Sequence, residues 1–180
     1  MRVIAGKHRG RVLAEFKGRE VRPTSDRAKE ALFNILQGKT AGASFLDLFC
    51  GTGSIGIEAL SRVAAKATLV DNSKESVKIA EKNLNALGEK ADIVLCDAEA
   101  FIKRTSERFD IIFLDPPYKL NVSALLDEIG RRDILSDGGV VIYEHDENNS
   151  YSSEKLLLVD SRRYGIAQFD FYKRNSVSCQ

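Results

Sequence analysis

Two short stretches of the 180-residue chain place side chains in patterns suited to chemistry: Asp47-Leu-Phe-Cys-Gly-Thr-Gly53, running on to Gly56, and Asp115-Pro-Pro-Tyr118. An exocyclic amine on a nucleobase is a poor nucleophile, because its lone pair is delocalised into the ring. The Asp115 carboxylate and the Pro116 carbonyl, held in a turn that two prolines stiffen, could each accept one amino hydrogen and aim the lone pair at an electrophile. Asp115 could then take up a proton, and Tyr118 could stack on the base, worth about 1–3 kcal/mol on other base platforms. Taken in isolation, the same tetrapeptide also suits a rigid loop with no chemistry.

The first stretch reads as strand, tight turn and helix with a ligand over the turn. Gly51 and Gly53 let main chain and ligand approach closely above the positive end of the helix that follows. Gly51, Gly53 and Gly56 also fit G-x-G-x-x-G, with Asp71 about 20 residues on, so a nicotinamide dinucleotide is the first rival ligand. Asp47 argues against it, since a carboxylate at the mouth of the loop would face a pyrophosphate across a short gap. S-adenosylmethionine has no phosphate and carries a sulfonium and an ammonium that such an anion attracts. By itself Asp47 fits a capping role equally well, and Asp71 could bind the ribose hydroxyls of either ligand.

The elements that must position these residues alternate between strand and helix. Strands are predicted at Ser44–Leu48, Lys66–Val70, Ala91–Leu95, Phe109–Leu114 and Val140–Tyr143, and the fourth is apolar enough to be buried on both faces. Helical spacing runs through Ala28, Ala31, Leu32, Ile35 and Leu36, with Phe33 off that stripe as surface cover or ligand wall. Further helices carry Ile55 to Val63, Val77 to Leu87 between a Ser73 cap and a Gly88 stop, Ala98 to Arg104, and Val122 to Ile129. Leu156–Val159 and Ile166–Tyr172 read as a closing antiparallel pair, and 146–153 is too polar to assign. Asp47, Asp71, Asp97 and Asp115 then all fall at strand carboxyl ends, the ligand-binding rim of a doubly wound sheet. Asp97 serves there either as acceptor for an adenine amino group or as a helix cap.

Composition is that of an ordinary globular chain, 43% apolar and 29% charged, and the length fits one domain with at most a short appendage. No apolar run reaches the roughly 18 residues of a membrane span, and the basic start lacks a signal-peptide core, so a soluble, cytoplasmic protein is expected. Cys50, Cys96 and Cys179 are odd in number and lack C-x-x-C spacing, which suggests neither a disulfide framework nor a metal site. Residues 1–29 hold nine Lys/Arg against three Asp/Glu, a net +6 that leaves −5 for the rest. Arg2–Ala5 and Arg11–Phe16 flank Gly6-Lys7-His8-Arg9-Gly10, a predicted hairpin with a basic tip. Lys7, His8, Arg9 and Arg11 are candidate phosphate contacts to nucleic acid, although a charge run is as readily a solvated face.

The Asp47–Gly53 loop together with Asp115–Tyr118 resembles the class I amino-methyltransferases that act on DNA or RNA bases. The opening Arg2-Val-Ile-Ala-Gly-Lys-His-Arg-Gly-Arg11, with Arg22-Pro-Thr-Ser-Asp-Arg-Ala-Lys-Glu-Ala-Leu-Phe-Asn34, resembles more narrowly the RsmD-like 16S ribosomal RNA guanine-N2 methyltransferases. The resemblance covers nearly the whole chain and leaves Ser176–Gln180 without a counterpart. It implies a Rossmann-like α/β fold: a mostly parallel, seven-stranded, doubly wound sheet with a closing antiparallel hairpin. Residues 1–22 would form a basic β-hairpin extension, 23–175 the methyltransferase domain and 176–180 a disordered tail.

The likeness implies S-adenosylmethionine as methyl donor, no metal, and a guanine of 16S ribosomal RNA, free or in an assembling small subunit, as acceptor of a monomeric enzyme. Asp115, Pro116 and Tyr118 are then the expected catalytic set. Asp47, Phe49, Gly51, Gly53, Asp71, Asn72, Asp97 and Ala98 line the donor pocket, and by the likeness Arg22, Thr24 and Phe33 border it. A DNA or other RNA amino-methyltransferase acting on adenine N6 or cytosine N4 shares the motifs but usually needs a recognition domain, for which there is little room. A nicotinamide dehydrogenase leaves Asp47 and the Asp-Pro-Pro-Tyr turn unexplained. An RNA-binding protein with a vestigial donor pocket is the reading outside enzymes.

Overall fold

The computed structural model describes residues 1–16, 25–117, 120–146 and 151–175. Its elements in chain order are α1 (Asp26–Ile35), β1 (Ser44–Asp47), α2 (Ser54–Ser61), β2 (Lys66–Asp71), α3 (Lys74–Leu87), β3 (Asp92–Leu95), α4 (Ala98–Arg104), β4 (Phe109–Leu114), α5 (Val122–Arg131), β5 (Leu135–His145), β6 (Leu156–Tyr164) and β7 (Ala167–Arg174). The strands form one sheet in the order β3-β2-β1-β4-β5-β7-β6. The first five are parallel, and β7 runs antiparallel between β5 and β6. Chain order reverses at β1, whose neighbours are β2 and β4, and a crevice opens at the carboxyl ends of strands beside such a switch point.

Local chemistry explains the boundaries of the helices. Ser25 accepts the Ala28 amide at 3.1 Å to start α1, Ser73 accepts the Ser76 amide at 3.3 Å to start α3, and Asp97 accepts the Ala100 amide at 3.0 Å to start α4. Gly88 ends α3 in the left-handed region at φ 68°. Central burial then decides the strands: β4 hides Phe109, Ile111, Ile112, Phe113 and Leu114 from solvent on both faces. At about 1.5–3 kcal/mol for each fully buried side chain, that single strand contributes heavily to the core, and a charge at Ile112 would break it.

Helices α4 and α5 cover one face of the sheet, packing Ile102, Leu125, Leu126 and Ile129 on Leu46, Val70, Ile112 and Val141. On the other face α1 sets Leu32, Phe33 and Leu36 against Phe45, Ile111, Phe113, Phe169 and Phe171. Beside it, α2 and α3 enclose Ile57, Leu60, Ala80 and Leu84 with Val3 and Leu13 of the amino-terminal segment. That segment pairs through the bridge Arg2↔Val12 and the hydrogen bonds Val3 N–H to Arg11 O and Gly10 N–H to Val3 O, both 2.9 Å.

Several expectations need adjustment. Phe33 is neither surface cover nor ligand wall: it is 1% exposed, stacked on Phe45 at 6.2 Å, with the Arg62 guanidinium 5.0 Å above its ring. A helix lying flat on a sheet and roofed by a basic side chain buries more than the stripe its spacing marks. Strand β5 starts at Leu135, so Asp137-Gly138-Gly139 is an irregularity within the strand, where the pairing register with β4 shifts. Strands β6 and β7 extend to a tight turn at Gly165, longer than the apolar residues alone suggested. Among the described residues no helix is long and apolar enough to cross a membrane.

Candidate active site

The carboxyl ends of β1, β2 and β4 bring three carboxylates to one recess. Asp47, the last residue of β1, is 1% exposed, and its Oδ2 accepts the Gly56 amide from the first turn of α2 at 3.2 Å. Its Oδ1 is buried with no partner among the described residues. Loss of hydration pushes the Asp47 carboxyl up to about 8, and the nearby charges of Asp115 and Asp71 push the same way. Capping and ligand binding are therefore not alternatives here, since one oxygen serves the helix and the other is left over.

Asp71 ties the glycine loop to the end of β2. Its Oδ2 accepts the Gly51 amide at 2.9 Å and its Oδ1 accepts the Ser73 amide at 2.8 Å. Each oxygen keeps a second lone pair, which is what two ribose hydroxyls would need. Gly51 adopts φ 52°, and a Cβ built there would meet nothing within 4 Å, so the space beside it is free for a ligand. At Gly56 a Cβ would fall 2.1 Å from Leu69 Cδ2, so the glycine there lets α2 lie close on β2. Phe49 is half-buried in the loop, Asn72 is exposed beside Asp71, and Asp97 and Ala98 start α4 beyond β3, the former exposed and the latter buried.

Asp115 is the first residue beyond β4. It is open to solvent, yet the protein crowding its recess weakens its hydration, and the Asp146 carboxylate adds a like charge; together they raise it to about 6. Pro116 is half-buried next to it. Tyr118, Arg22 and Thr24 lie outside the described residues.

A cationic ligand suits this recess and a phosphate does not. Three carboxyl groups, one of them buried with an oxygen lacking a partner, oppose a pyrophosphate, whereas a sulfonium or an ammonium would favour ionisation of the buried Asp47 and be attracted by it. S-adenosylmethionine therefore fits the donor set, while the glycine loop read alone fits a dinucleotide equally well.

The basic hairpin lies elsewhere. The Lys7 amide donates to Ser61 O at 2.9 Å, at the carboxyl-terminal end of α2, whereas the glycine loop is at the start of that helix. The tip is thus displaced from the rim by about 12 Å along the helix axis, at 1.5 Å per residue. Lys7 Nζ lies 2.7 Å and His8 Nε2 2.5 Å from Glu89, while Arg11 donates to Ala86 O at 3.0 Å. Glu89 is held below the usual carboxylate range by these partners against its own partial burial. Arg9 is exposed and forms no side-chain ion pair among the described residues.

Two groups of residues escaped the sequence reading. Glu58, 0% exposed in α2, accepts the Ile4 amide at 2.7 Å, the Ala5 amide at 3.0 Å and Arg62 Nε at 2.8 Å. Lys29, also 0% exposed, donates to Arg2 O at 2.7 Å and Ser54 Oγ at 3.0 Å, 3.9 Å from Glu58. Nothing in their spacing distinguishes them from surface charges. The second group, His145 and Asp146 at the end of β5, had a usable signal, because they are ionisable residues at a strand carboxyl end like the four aspartates.

Comparison with known proteins agrees with this architecture. The family described as "Conserved hypothetical protein 95" matches residues 1–173. The chain is 36% identical to YlbH of Bacillus subtilis over 182 residues, covering 97% of this chain and 99% of that one. It is 32% identical over 180 residues to the ribosomal RNA small subunit methyltransferase D of Haemophilus influenzae, covering 96% and 93%. Among solved structures, yhhF from Escherichia coli superposes with a TM-score of 0.88 at 30% identity, covering 98% of each chain.

Proposed function

The chain belongs to the ribosomal RNA small subunit methyltransferase D family, and from that premise we propose that it transfers a methyl group from S-adenosylmethionine to the exocyclic N2 of a guanine in 16S ribosomal RNA. One observation carries the choice of donor: the buried Asp47 oxygen that lacks a partner, in a recess shared with Asp71 and Asp115. Asp47 faces the donor's positive charge, Asp71 its ribose, and Gly51 and Gly53 give it backbone clearance. Phe49, Asn72, Asp97 and Ala98 line the remainder, and by family likeness Arg22 and Thr24 close it.

When bound, the donor supplies an electrophilic methyl on a sulfonium. Everything else falls to the chain. Asp115 and the Pro116 carbonyl each accept one hydrogen of the amine, which turns the nitrogen lone pair out of conjugation with the ring. Tyr118 stacks on the base and fixes its plane. As the N–C bond forms the methyl–sulfur bond breaks, its electron pair leaving with the sulfur as a neutral thioether, and the nitrogen loses one hydrogen as a proton; Asp115, poised near pH 6, is ionised at neutral pH and can receive it.

The test is transfer of labelled methyl from S-adenosylmethionine to small ribosomal subunits lacking the modification, followed by nucleoside analysis of the digested RNA. N2-methylguanosine at one position is the expected product. Methyl on adenine or cytosine would keep the fold and donor and discard the guanine assignment, and absence of transfer despite donor binding would discard the acceptor altogether.

A further inference from the structure

We propose that Asp146 is the residue that selects guanine, its carboxylate accepting the N1–H that lies beside the amino group held by Asp115. The inference rests on the guanine-N2 reading above and adds to it the means by which the base is chosen.

Strands β4 and β5 are parallel neighbours, with Leu114 paired to Tyr143. β4 ends at Leu114 and β5 two residues further along at His145, so Asp115 stands level with Glu144 and Asp146 follows two residues beyond it on the adjoining strand of the same rim. Asp146 is half-buried, and its charge acts directly on the Asp115 carboxyl. Two acceptors on adjoining strand ends, close enough for one charge to act on the other, can face the adjacent donors of one nucleobase edge. Guanine offers N1–H and the N2 amino group as adjacent donors, whereas adenine and cytosine each place an acceptor ring nitrogen beside their amino group. Against those bases the Asp146 carboxylate would meet a lone pair. A polar site left with acceptor facing acceptor discriminates far more strongly than an apolar pocket does.

The strand end that presents Asp146 is anchored, as a specificity group must be. His145 Nε2 lies 3.2 Å from Asp170 Oδ2 on β7, an ion-pair distance without hydrogen-bond alignment, and both side chains are buried. Asp170 in turn accepts Ser161 Oγ–H at 2.5 Å and Gln168 Nε2–H at 3.3 Å. Tyr143, two residues earlier on the same face of β5, stacks on the His145 ring at 4.7 Å and 9°. None of these contacts is used by the methyl-transfer chemistry itself.

The experiment compares RNA acceptors that carry guanine or 2-aminopurine at the methylated position. 2-Aminopurine keeps the amino group but turns N1 from donor to acceptor. The wild-type protein is expected to prefer guanine by roughly 10–100-fold, the range of one good base contact. Asp146→Asn offers an amide N–H to the changed N1, so its preference should narrow at least tenfold or reverse. Asp146→Ala should lose guanine transfer while holding 2-aminopurine transfer, again narrowing the ratio. An unchanged ratio in both variants, or an equal loss on both acceptors, overturns the proposal. Failure of the guanine reading is distinct, since it appears as the absence of N2-methylguanosine from the wild-type reaction.

Discussion

Gly6 lies against Ser61 so closely that a Cβ would fall 1.9 Å from the Ser61 carbonyl oxygen. The contact is backbone on backbone, and Ser61 Oγ also donates to Ala5 O at 2.5 Å, so neither partner can yield cheaply. Gly6 and Gly10 both adopt positive φ, 81° and 83°, but nothing lies within 4 Å of a Cβ at Gly10. Gly10→Ala should therefore cost only the left-handed strain, about 1 kcal/mol, or ~2–4 °C in Tm for a chain of this size. Gly6→Ala adds undocking of the hairpin from α2 and should cost at least ~3 kcal/mol. Thermal unfolding of the two variants checks it, and equal losses would show that the contact is dispensable.

Asp47 should cost stability in the absence of donor. Its carboxyl rises from 3.8 to about 8 on folding, so its contribution to stability is whole below about 3.8 and declines as pH rises to about 8. Asp47→Asn is expected to flatten that decline and to be more stable than the wild type at pH 8. The same change should weaken S-adenosylmethionine binding by about 10–100-fold, as for a lost charge-assisted contact. In the wild type a cationic ligand favours the ionised carboxylate, so binding near pH 7 should release a proton and tighten as pH rises toward 8. Calorimetry in buffers of different ionisation heat reads the proton directly.

The buried pair Lys29 and Glu58 fastens three segments together: α1, α2 and the chain from Arg2 to Ala5. Loss of hydration lowers the Lys29 pKa, against the pull of Glu58. Lys29→Met leaves Arg2 O and Ser54 Oγ without their buried donor and removes one of the two cations beside Glu58, which keeps Arg62 at 2.8 Å, for an expected cost of about 1–3 kcal/mol. The double variant Lys29→Met with Glu58→Gln should lose less than the sum of its parts, which a double-mutant cycle by denaturant unfolding measures.

The sheet was legible because its signals are local: apolar runs for β1, β2 and β4, caps at Ser73 and Asp97, and the stop at Gly88. The rule that ligands bind at strand carboxyl ends brought Asp47, Asp71 and Asp115 to one recess without any long-range information. What the sequence does not carry is which charges are inside. Lys29 reads as one more basic residue of a basic terminus, and only the docking of the hairpin on α2 takes water from it. The hairpin hides its setting in the same way. Its tip carries Lys7, His8 and Arg9 together, but the glycine contact at Ser61 turns it toward the far ends of the strands, where Glu89 engages two of the three. The predicted strand stops at Tyr143 and Asp146 opens the unassigned stretch 146–153, so the place of His145 and Asp146 at a strand carboxyl end shows only in the run of β5 on to His145.

Phosphate binding by the hairpin tip can be tested through Glu89. Because Glu89 holds Lys7 and His8, Glu89→Gln should free cationic surface and raise RNA affinity several-fold at low salt. Arg9→Ala should lower affinity and reduce the slope of log K against log salt by about 1 if Arg9 meets a phosphate. Both are read by RNA binding over a salt series, with donor affinity as the control. No change in either variant would return the tip to a solvated face.

Asp115 can be separated into an orienting group and a proton acceptor. Both roles need its ionised form, so kcat/KM should fall as pH drops through about 6. Crowding is the first cause of that raised value and the Asp146 charge the second. Asp146→Asn should therefore move the acid limb to lower pH without carrying it down to the 3.8 of a free carboxyl. Asp115→Ala removes both roles and should lose about 10²–10⁴-fold in turnover. Asp115→Asn keeps an acceptor oxygen in place but cannot take a proton. If it retains most of the turnover and loses the acid limb, Asp115 orients the amine and the proton leaves to water. If it falls as far as the alanine variant, proton transfer is the larger share, and near-normal turnover of the alanine variant would remove Asp115 from the mechanism.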